Sequence, residues 1–534
     1  MRSRSLLLPG LCLATFALKL WVNAERTSPG HGDVAYYTTL ARNLASGRGF
    51  VIDYVPEFLS HPTGIPNPAN TYWMPFVSLV AAVGMWLGGL GFVAGQTAVA
   101  AFTALMPLVT YAVAYELFRC KKAAIGAAVL AVSFHLFLAP GSSPVTHGPV
   151  GVLGGATLWA ILRSREDLRF LPLVGVGIAL AHTNRSDAIV FFPVLLAAHL
   201  FPPAGTARRA FPWRGMGTVA LAYAAVMAPL WWHTWSVTGR PLPTGLSRTA
   251  FLVHYQELYS LPERLTPEHY LAGGWGPVLE QKLRALRENA DTFFLGMTRS
   301  VGDHSPPWTE RPGLYALVLA AWVGLAARLR RGALPVLLLA AGWFVLYTLI
   351  FSATGLASLT AAMFALYPVG LGAASFALLA LARRAGRGRA GLERGLVILL
   401  FGWLSVSSVL YARERIDTGS QWIERKRREH KVLLRDVIVP RGLQDETFLA
   451  GGVHQLHADT GLRLVSLPFE DEPVIRAVAE RFGATHILFT ERPRPSEFWS
   501  APYEITQNPD YEQVFAGPVQ GRPMAIYRIP PVSR

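Results

Sequence analysis

The feature that most constrains this 534-residue chain is a recurrence of apolar runs about 20 residues long, which continues to position 412 and then stops. A helix of that length spans a hydrocarbon core about 30 Å thick. It also satisfies its own backbone where no water is at hand. The composition agrees: 52% of residues are hydrophobic and 16% charged, against roughly a quarter charged for a soluble domain. A mainly α, polytopic membrane helix bundle is expected over residues 1–412, followed by a small α/β domain over 413–534. In that tail Gly461–Pro468, Thr485–Thr490 and Met524–Ile529 read as strands and Pro473–Phe482 as a helix.

The formal net charge is +15. The basic residues lie in short clusters between apolar runs, so they read as topology determinants, and no nucleic-acid partner is expected. The two cysteines, Cys12 and Cys120, allow neither a disulfide framework nor a zinc site. Arg2, Arg4, an apolar stretch and Val22-Asn23-Ala24 resemble a signal peptide. With so many apolar runs to follow, an uncleaved first helix over about 5–24 is the expectation.

Orientation follows from the basic loops. If residues 72–90, which hold Pro75 and a glycine-rich end, stay at the outer interface or re-enter, five clusters fall on the cytoplasmic side. They are Arg119/Lys121/Lys122, Arg163/Arg165/Arg169, Arg208/Arg209/Arg214, Arg328/Arg330/Arg331 and Arg383/Arg384/Arg387/Arg389. A full crossing would put all five outside, against the positive-inside bias. The remaining spans are then roughly 94–118, 123–140, 147–162, 170–184, 187–203, 215–235, 312–328, 332–352, 359–382 and 393–412, about eleven in all with the first. Segments 25–91, 236–311 and the tail 413–534 lie outside a plasma (inner) membrane. Arg425–Arg428 then reads as a solvated or headgroup-facing helix after the last span.

Asp33 opens a segment in which Tyr37, Leu40, Ala41 and Leu44 recur at helical spacing, with Gly47 as a stop. This is a short amphipathic helix on the outer surface. Asp33 has two readings from the residues alone: an N-cap, or a carboxylate that takes a proton from an attacking hydroxyl. Arg185 and Asp187 stand near a span end, where charges are costly; they read as a snorkelling pair or as part of a polar cavity. Arg240 and Arg248 follow the Trp-rich end Trp231–Trp235, and they offer charge to an anionic ligand. Asp303 and His304 are further outer polar groups. His454, His457 and Asp459 read as surface residues of a loop, not as a metal cluster.

The run Asp33-Val-Ala-Tyr-Tyr, with Ala41-Arg42-Asn43-Leu44 and Gly47-Arg48-Gly49-Phe50, resembles the first outer loop of GT-C glycosyltransferases, which include protein O-mannosyltransferases and lipid A aminoarabinose transferases. Arg119-Cys120-Lys121-Lys122-Ala123, Thr183-Asn184-Arg185-Ser186-Asp187 and Leu366-Tyr367-Pro368 extend the resemblance. It implies a hexosyl- or pentosyltransferase that moves a sugar from a polyprenyl-phosphate donor to a glycan, lipid or protein of the cell envelope, with Asp33 as catalytic base. The donor phosphate is then set against Arg185, Arg240, Arg248 and His147, and the acceptor against Tyr36, Tyr37, His61 and Glu257. The chain departs from the pattern twice. The loop Gly141–His147 lacks the family's second acid, with His147 in its place, and Thr360-Ala361-Ala362 stands where an Arg is usual. No cofactor is implied with certainty; a divalent metal is an option that the missing acid does not support. Two other classes stay open: an inactive scaffold of this fold, which the missing acid would suit, and a transporter, which calls for internal repeats that are not seen.

Overall fold

The computed structural model describes residues 6–30, 32–201, 211–241, 245–298, 309–327, 333–491, 493–494 and 499–531. Arg2, Arg4, His31, Arg208, Arg209, Asp303, His304, Arg328, Arg330 and Arg331 fall outside them.

Among the described residues four helices are long and apolar enough to cross a membrane: Phe92–Phe118, Trp213–Thr238, Tyr367–Gly386 and Ala390–Arg441. The pair Lys121–Ser133 and His135–Ser142, bent by 52°, makes a fifth. The expectation of about eleven counted segments that fold as shorter apolar helices, including Leu7–Val22, Pro312–Ala326 and Leu334–Ile350. Breaks account for part of the difference. The run expected at 359–382 divides into Gly355–Met363 and Tyr367–Gly386, because Pro368 lacks the N–H that a continuous helix would use.

Residues 72–90 form the helix Phe76–Gly88, followed by a turn into Phe92–Thr103. Thirteen residues reach about 20 Å, short of a hydrocarbon core. The two helices pack so closely that a Cβ on Gly84 would lie 2.4 Å from the Ala94 carbonyl oxygen, so glycine is required there.

The last helix does not stop at 412. It continues from Ala390 to Val432 and on through a wider turn to Arg441. Composition changes at 412, but conformation does not. The charged residues beyond it are helix-compatible and pair along one face, as in Arg413–Asp417 at 3.0 Å and Arg427–Glu424 at 3.5 Å.

The strands are β1 (Val51–Ile52), β2 (Tyr54–Val55), β3 (Asn67–Pro68), β4 (Thr447–Ala450), β5 (Arg463–Ser466), β6 (His486–Phe489), β7 (Glu512–Val519) and β8 (Arg522–Arg528). β1 and β3 form a small antiparallel pair, and the other six make one sheet in the order β2-β5-β4-β6-β8-β7. The tail sheet thus takes its edge strand from the first loop: Tyr54 and Val55 pair with Leu464 and Val465. One core joins Tyr36, Tyr37, Leu40 and Ile52 of the first loop to Leu433, Phe448, Leu456 and Ile526 of the tail. The second loop segment docks on the same body. The Leu261 amide donates to Glu470 at 3.0 Å, and Arg264 pairs with Glu470 at 2.9 Å. At another place Arg119, Glu116, Arg163 and Glu166 gather the basic loops through ion pairs.

His454, His457 and Asp459 correct the expectation of surface loop residues. They stand on the helix Val453–Thr460, between β4 and β5, under the first loop. His454 Nδ1 lies 3.1 Å from the Tyr54 hydroxyl, His457 Nδ1 lies 2.9 Å from the Leu462 carbonyl, and Asp459 holds His430 at 2.7 Å. The packing of a distant loop over this helix buries groups that look solvated in the local sequence.

Candidate functional site

Asp33 lies in the first turn of the helix Gly32–Ala45 and is half-buried. It is one residue inside the helix rather than at the flanking position a cap occupies, and there a carboxylate also meets the positive end of the helix dipole. Its charge acts on several phenols. Burial raises Tyr37 well above the ordinary phenol range; the charge of Asp33 raises it further, while Arg185 pulls it down. Tyr54, Tyr72 and Tyr255 are raised first by burial and then, among other charges, by Asp33; Tyr259 is pushed up to about 12 by the same causes. All of these hydroxyls stay protonated at neutral pH and so remain donors.

Arg185 and Asp187 form a buried fork at 3.0 Å. Arg185 also donates to the Tyr347 hydroxyl at 3.0 Å and the Ser358 carbonyl at 3.2 Å, and Tyr347 donates to Asp187 at 2.6 Å. Next to it the Asn184 side chain donates to the Thr146 carbonyl at 3.1 Å, which ties this segment to the loop that lacks the second acid. His147 follows Thr146 and packs its ring against Phe364 at 5.2 Å. Val145 of the same loop packs with Val34, the neighbour of Asp33.

Two cations that sequence reasoning passed over close on this loop. Lys19, fully buried in the first apolar helix, donates from Nζ to Thr103 Oγ1 at 2.7 Å and to the Gly141 carbonyl at 3.1 Å. Arg26 donates to Ser143 Oγ at 2.5 Å. A lone lysine inside an apolar run was the signal available, because such a charge costs about 2.5–3.5 kcal/mol at mid-bilayer. The loop Gly141–His147 therefore has Lys19, Arg26 and the Arg185 segment on it and Asp33 beside it.

The other expected residues are placed differently. Tyr36 is buried; its hydroxyl accepts from the Asn70 amide at 3.1 Å and its ring lies 4.6 Å from Trp73. Glu257 turns inward, accepting from the amides of Val253 and His254 at 2.6 and 3.2 Å and meeting His269 at 3.2 Å. Arg248 donates to the Pro262 carbonyl. Arg240 is exposed at the end of Trp213–Thr238. His61 is 3.7 Å from Glu263. Among the described residues no three His, Cys, Asp or Glu side chains gather as a metal site.

Between the second loop segment and the tail is a cavity of about 1050 Å³, lined among others by His254, Gln256, Gln281, Lys426, Gln455 and Trp499. Its wall at Gln455 adjoins His454, which a Cβ added to Gly32 would meet at 3.5 Å.

No family model matches the chain, and no curated protein does. Solved structures do. An archaeal oligosaccharyltransferase, AglB from Archaeoglobus fulgidus, in complex with an inhibitory peptide and a dolichol-phosphate, is 12% identical with a TM-score of 0.56, over 90% of this chain and 69% of that one. The same organism's oligosaccharyltransferase in complex with Zn and sulfate is 14% identical with a TM-score of 0.56, over 91% and 68%. ArnT from Cupriavidus metallidurans, bound to undecaprenyl phosphate, is 11% identical with a TM-score of 0.56, over 98% of both chains. At these identities the likeness is one of fold: the chain shares the fold of these oligosaccharyltransferase and ArnT structures.

Proposed function

We propose that the chain transfers a sugar from a polyprenyl-phosphate donor to a cell-envelope acceptor on the non-cytoplasmic face of the plasma (inner) membrane. The observation that carries this reading is that one loop joins Asp33 to Arg185, 152 positions away: Asn184, beside Arg185, donates to the Thr146 carbonyl at 3.1 Å, and Val145 packs with Val34, beside Asp33. A proton acceptor and a strong cation thus stand on segments held by the same loop. The fold supports the class of reaction, and the solved neighbours were captured with dolichol-phosphate and undecaprenyl phosphate.

In this reading the acceptor hydroxyl gives its proton to the Asp33 carboxylate as its oxygen bonds to the anomeric carbon. The bond from that carbon to the phosphate oxygen breaks, and its electron pair leaves with the lipid phosphate. That phosphate gains charge, so donors fixed around it lower the barrier. Arg185, Arg26 and Lys19 supply such donors: a lysine has three N–H donors, and Lys19 uses two on Thr103 and Gly141. His147 stands on the same loop. The phenols around Asp33 hold the acceptor's hydroxyls, and the adjoining cavity gives the acceptor room. Arg248, His61 and Glu257 are left supporting the outer loops, and Arg240 stays exposed.

The test is mass spectrometry of envelope glycans and lipids with and without the gene. Loss of one sugar from an acceptor, with its polyprenyl-phosphate form accumulating, is expected. Unchanged envelopes and donor pools would refute transfer and favour a scaffold.

A further inference from the structure

The helix Trp275–Leu295 belongs to the segment read as lying outside the membrane, yet it has three faces. Val278, Ala285, Asn289 and Thr292 are buried against the protein. Glu280, Arg284, Arg287 and Glu288 form an exposed charged face. Between the two runs a stripe at helical spacing: Trp275, Leu279, Leu283, Leu286 and Phe294, which are 73%, 59%, 55%, 43% and 53% exposed. A helix lying in solvent has no reason to expose such a stripe over its full length, and contiguous apolar surface of this kind marks a contact.

The occupant is indicated by what the stripe joins. At its C-terminal end Phe294 lies 5.4 Å from Trp322, whose Nε1 donates to the Phe294 carbonyl at 3.2 Å. Trp322 belongs to the apolar helix Pro312–Ala326, which exposes Leu319 and Val323. The stripe therefore continues the exposed apolar surface of a helix expected from its sequence to span the membrane. The helix Phe76–Gly88, which carries no charged residue, also exposes apolar side chains, Leu79, Val83 and Trp86. An apolar face, a charged face and an aromatic residue at one end are the marks of a helix lying in the interface plane. We infer that Trp275–Leu295 lies in the leaflet on the Asp33 side of the membrane, with Trp275, Leu279, Leu283, Leu286 and Phe294 among the lipid acyl chains. Its charged face then meets headgroups, and Glu280, Gln281 and Arg284 border the large cavity. One helix thereby separates lipid from cavity. The inference concerns the membrane contact alone and holds whether or not sugar transfer occurs.

The test uses the full chain with Cys12→Ala and Cys120→Ala, reconstituted in phosphatidylcholine–phosphatidylglycerol vesicles. Spin labels go on Leu279→Cys, Leu283→Cys and Leu286→Cys, and on Glu280→Cys and Arg287→Cys for comparison. Relaxation by oxygen against a water-soluble nickel chelate reads their depth. The stripe sites are expected about 5–10 Å below the headgroup boundary, and the charged sites at or above it. Stripe sites as open to nickel as Glu280→Cys would overturn the inference. So would stripe sites protected from both reagents, which would mark a contact with protein, including a second copy of this chain.

Discussion

Lys19 places a charge inside the first apolar helix, and that placement has a cost only a ligand or a structural need repays. Replacing it by Met removes the charge while keeping the length and the apolar stem, so the fold should hold. If its third N–H serves a phosphate, Lys19→Met should weaken polyprenyl phosphate binding by about 10- to 100-fold, since a hydrogen bond to a charged group is worth roughly 1.5–3 kcal/mol. Calorimetry with polyprenyl phosphate alone reads this, and an unchanged Kd in a normally folded variant would make Lys19 purely structural. Glu57, in the first loop, gives a pH prediction. Burial pushes its carboxyl from 4.5 up to about 7, and the hydrogen bonds from Ser60 offset only part of that. Below 4.5 the group is protonated folded or unfolded. As pH rises from there to about 7 the unfolded chain binds fewer protons than the folded one, so stability falls; above 7 the loss is complete, about 3 kcal/mol. Melting at pH 5 and pH 8 should show wild type less stable at the higher pH. Glu57→Gln should remove most of that difference; an equal difference in the variant would assign it elsewhere.

Among elements, strand β2 matters beyond its two residues. It closes the edge at β5, and the first loop supplies Tyr36, Tyr37, Leu40, Ile52 and Tyr54 to the core beneath the sheet. Residues 413–534 expressed alone should therefore lack a cooperative melting transition and aggregate, because an unpaired edge and an open apolar face are left to water. A sharp, reversible transition for that fragment would show that the tail folds independently. What could be read from sequence follows the same division. The apolar runs announce themselves locally, as do the helix after Asp33 and three tail strands, β5, β6 and β8, because each has its own period; β4 and β7 are not read from the sequence. The pairing of Tyr54 with Leu464 leaves no local trace, since two residues show no alternation and their partner is 410 positions away. For the same reason the sequence marks Asp33 and Arg185 as separate oddities without showing that one loop holds both segments, and it leaves His454 looking solvated. The long helix Ala390–Val432 was cut at 412 because hydropathy, not helicity, changes there.

At the scale of the whole molecule, the first loop, the second loop segment and the tail form one body, which fixes them to one side of the membrane. The proposed function puts that side outside, as expected from the distribution of basic loops. An alkaline phosphatase fusion after residue 440 should be active, and a fluorescent protein there that folds only in the cytoplasm should stay dark; the reverse result would put Asp33 on the wrong side for an envelope acceptor. The central claim is that this outer body transfers a sugar with Asp33 as base. Its most direct test is the rate at which the envelope sugar appears in a strain lacking the gene, complemented by wild type or by Asp33→Asn at equal expression. Asn keeps the size and hydrogen-bonding shape of Asp and forfeits about 0.3–1 kcal/mol of dipole interaction in the first helical turn, so the protein should fold and insert. Loss of a general base costs about 100- to 10,000-fold in rate. The account predicts a fall of that size with polyprenyl phosphate binding retained; transfer at the wild-type rate by Asp33→Asn would contradict it.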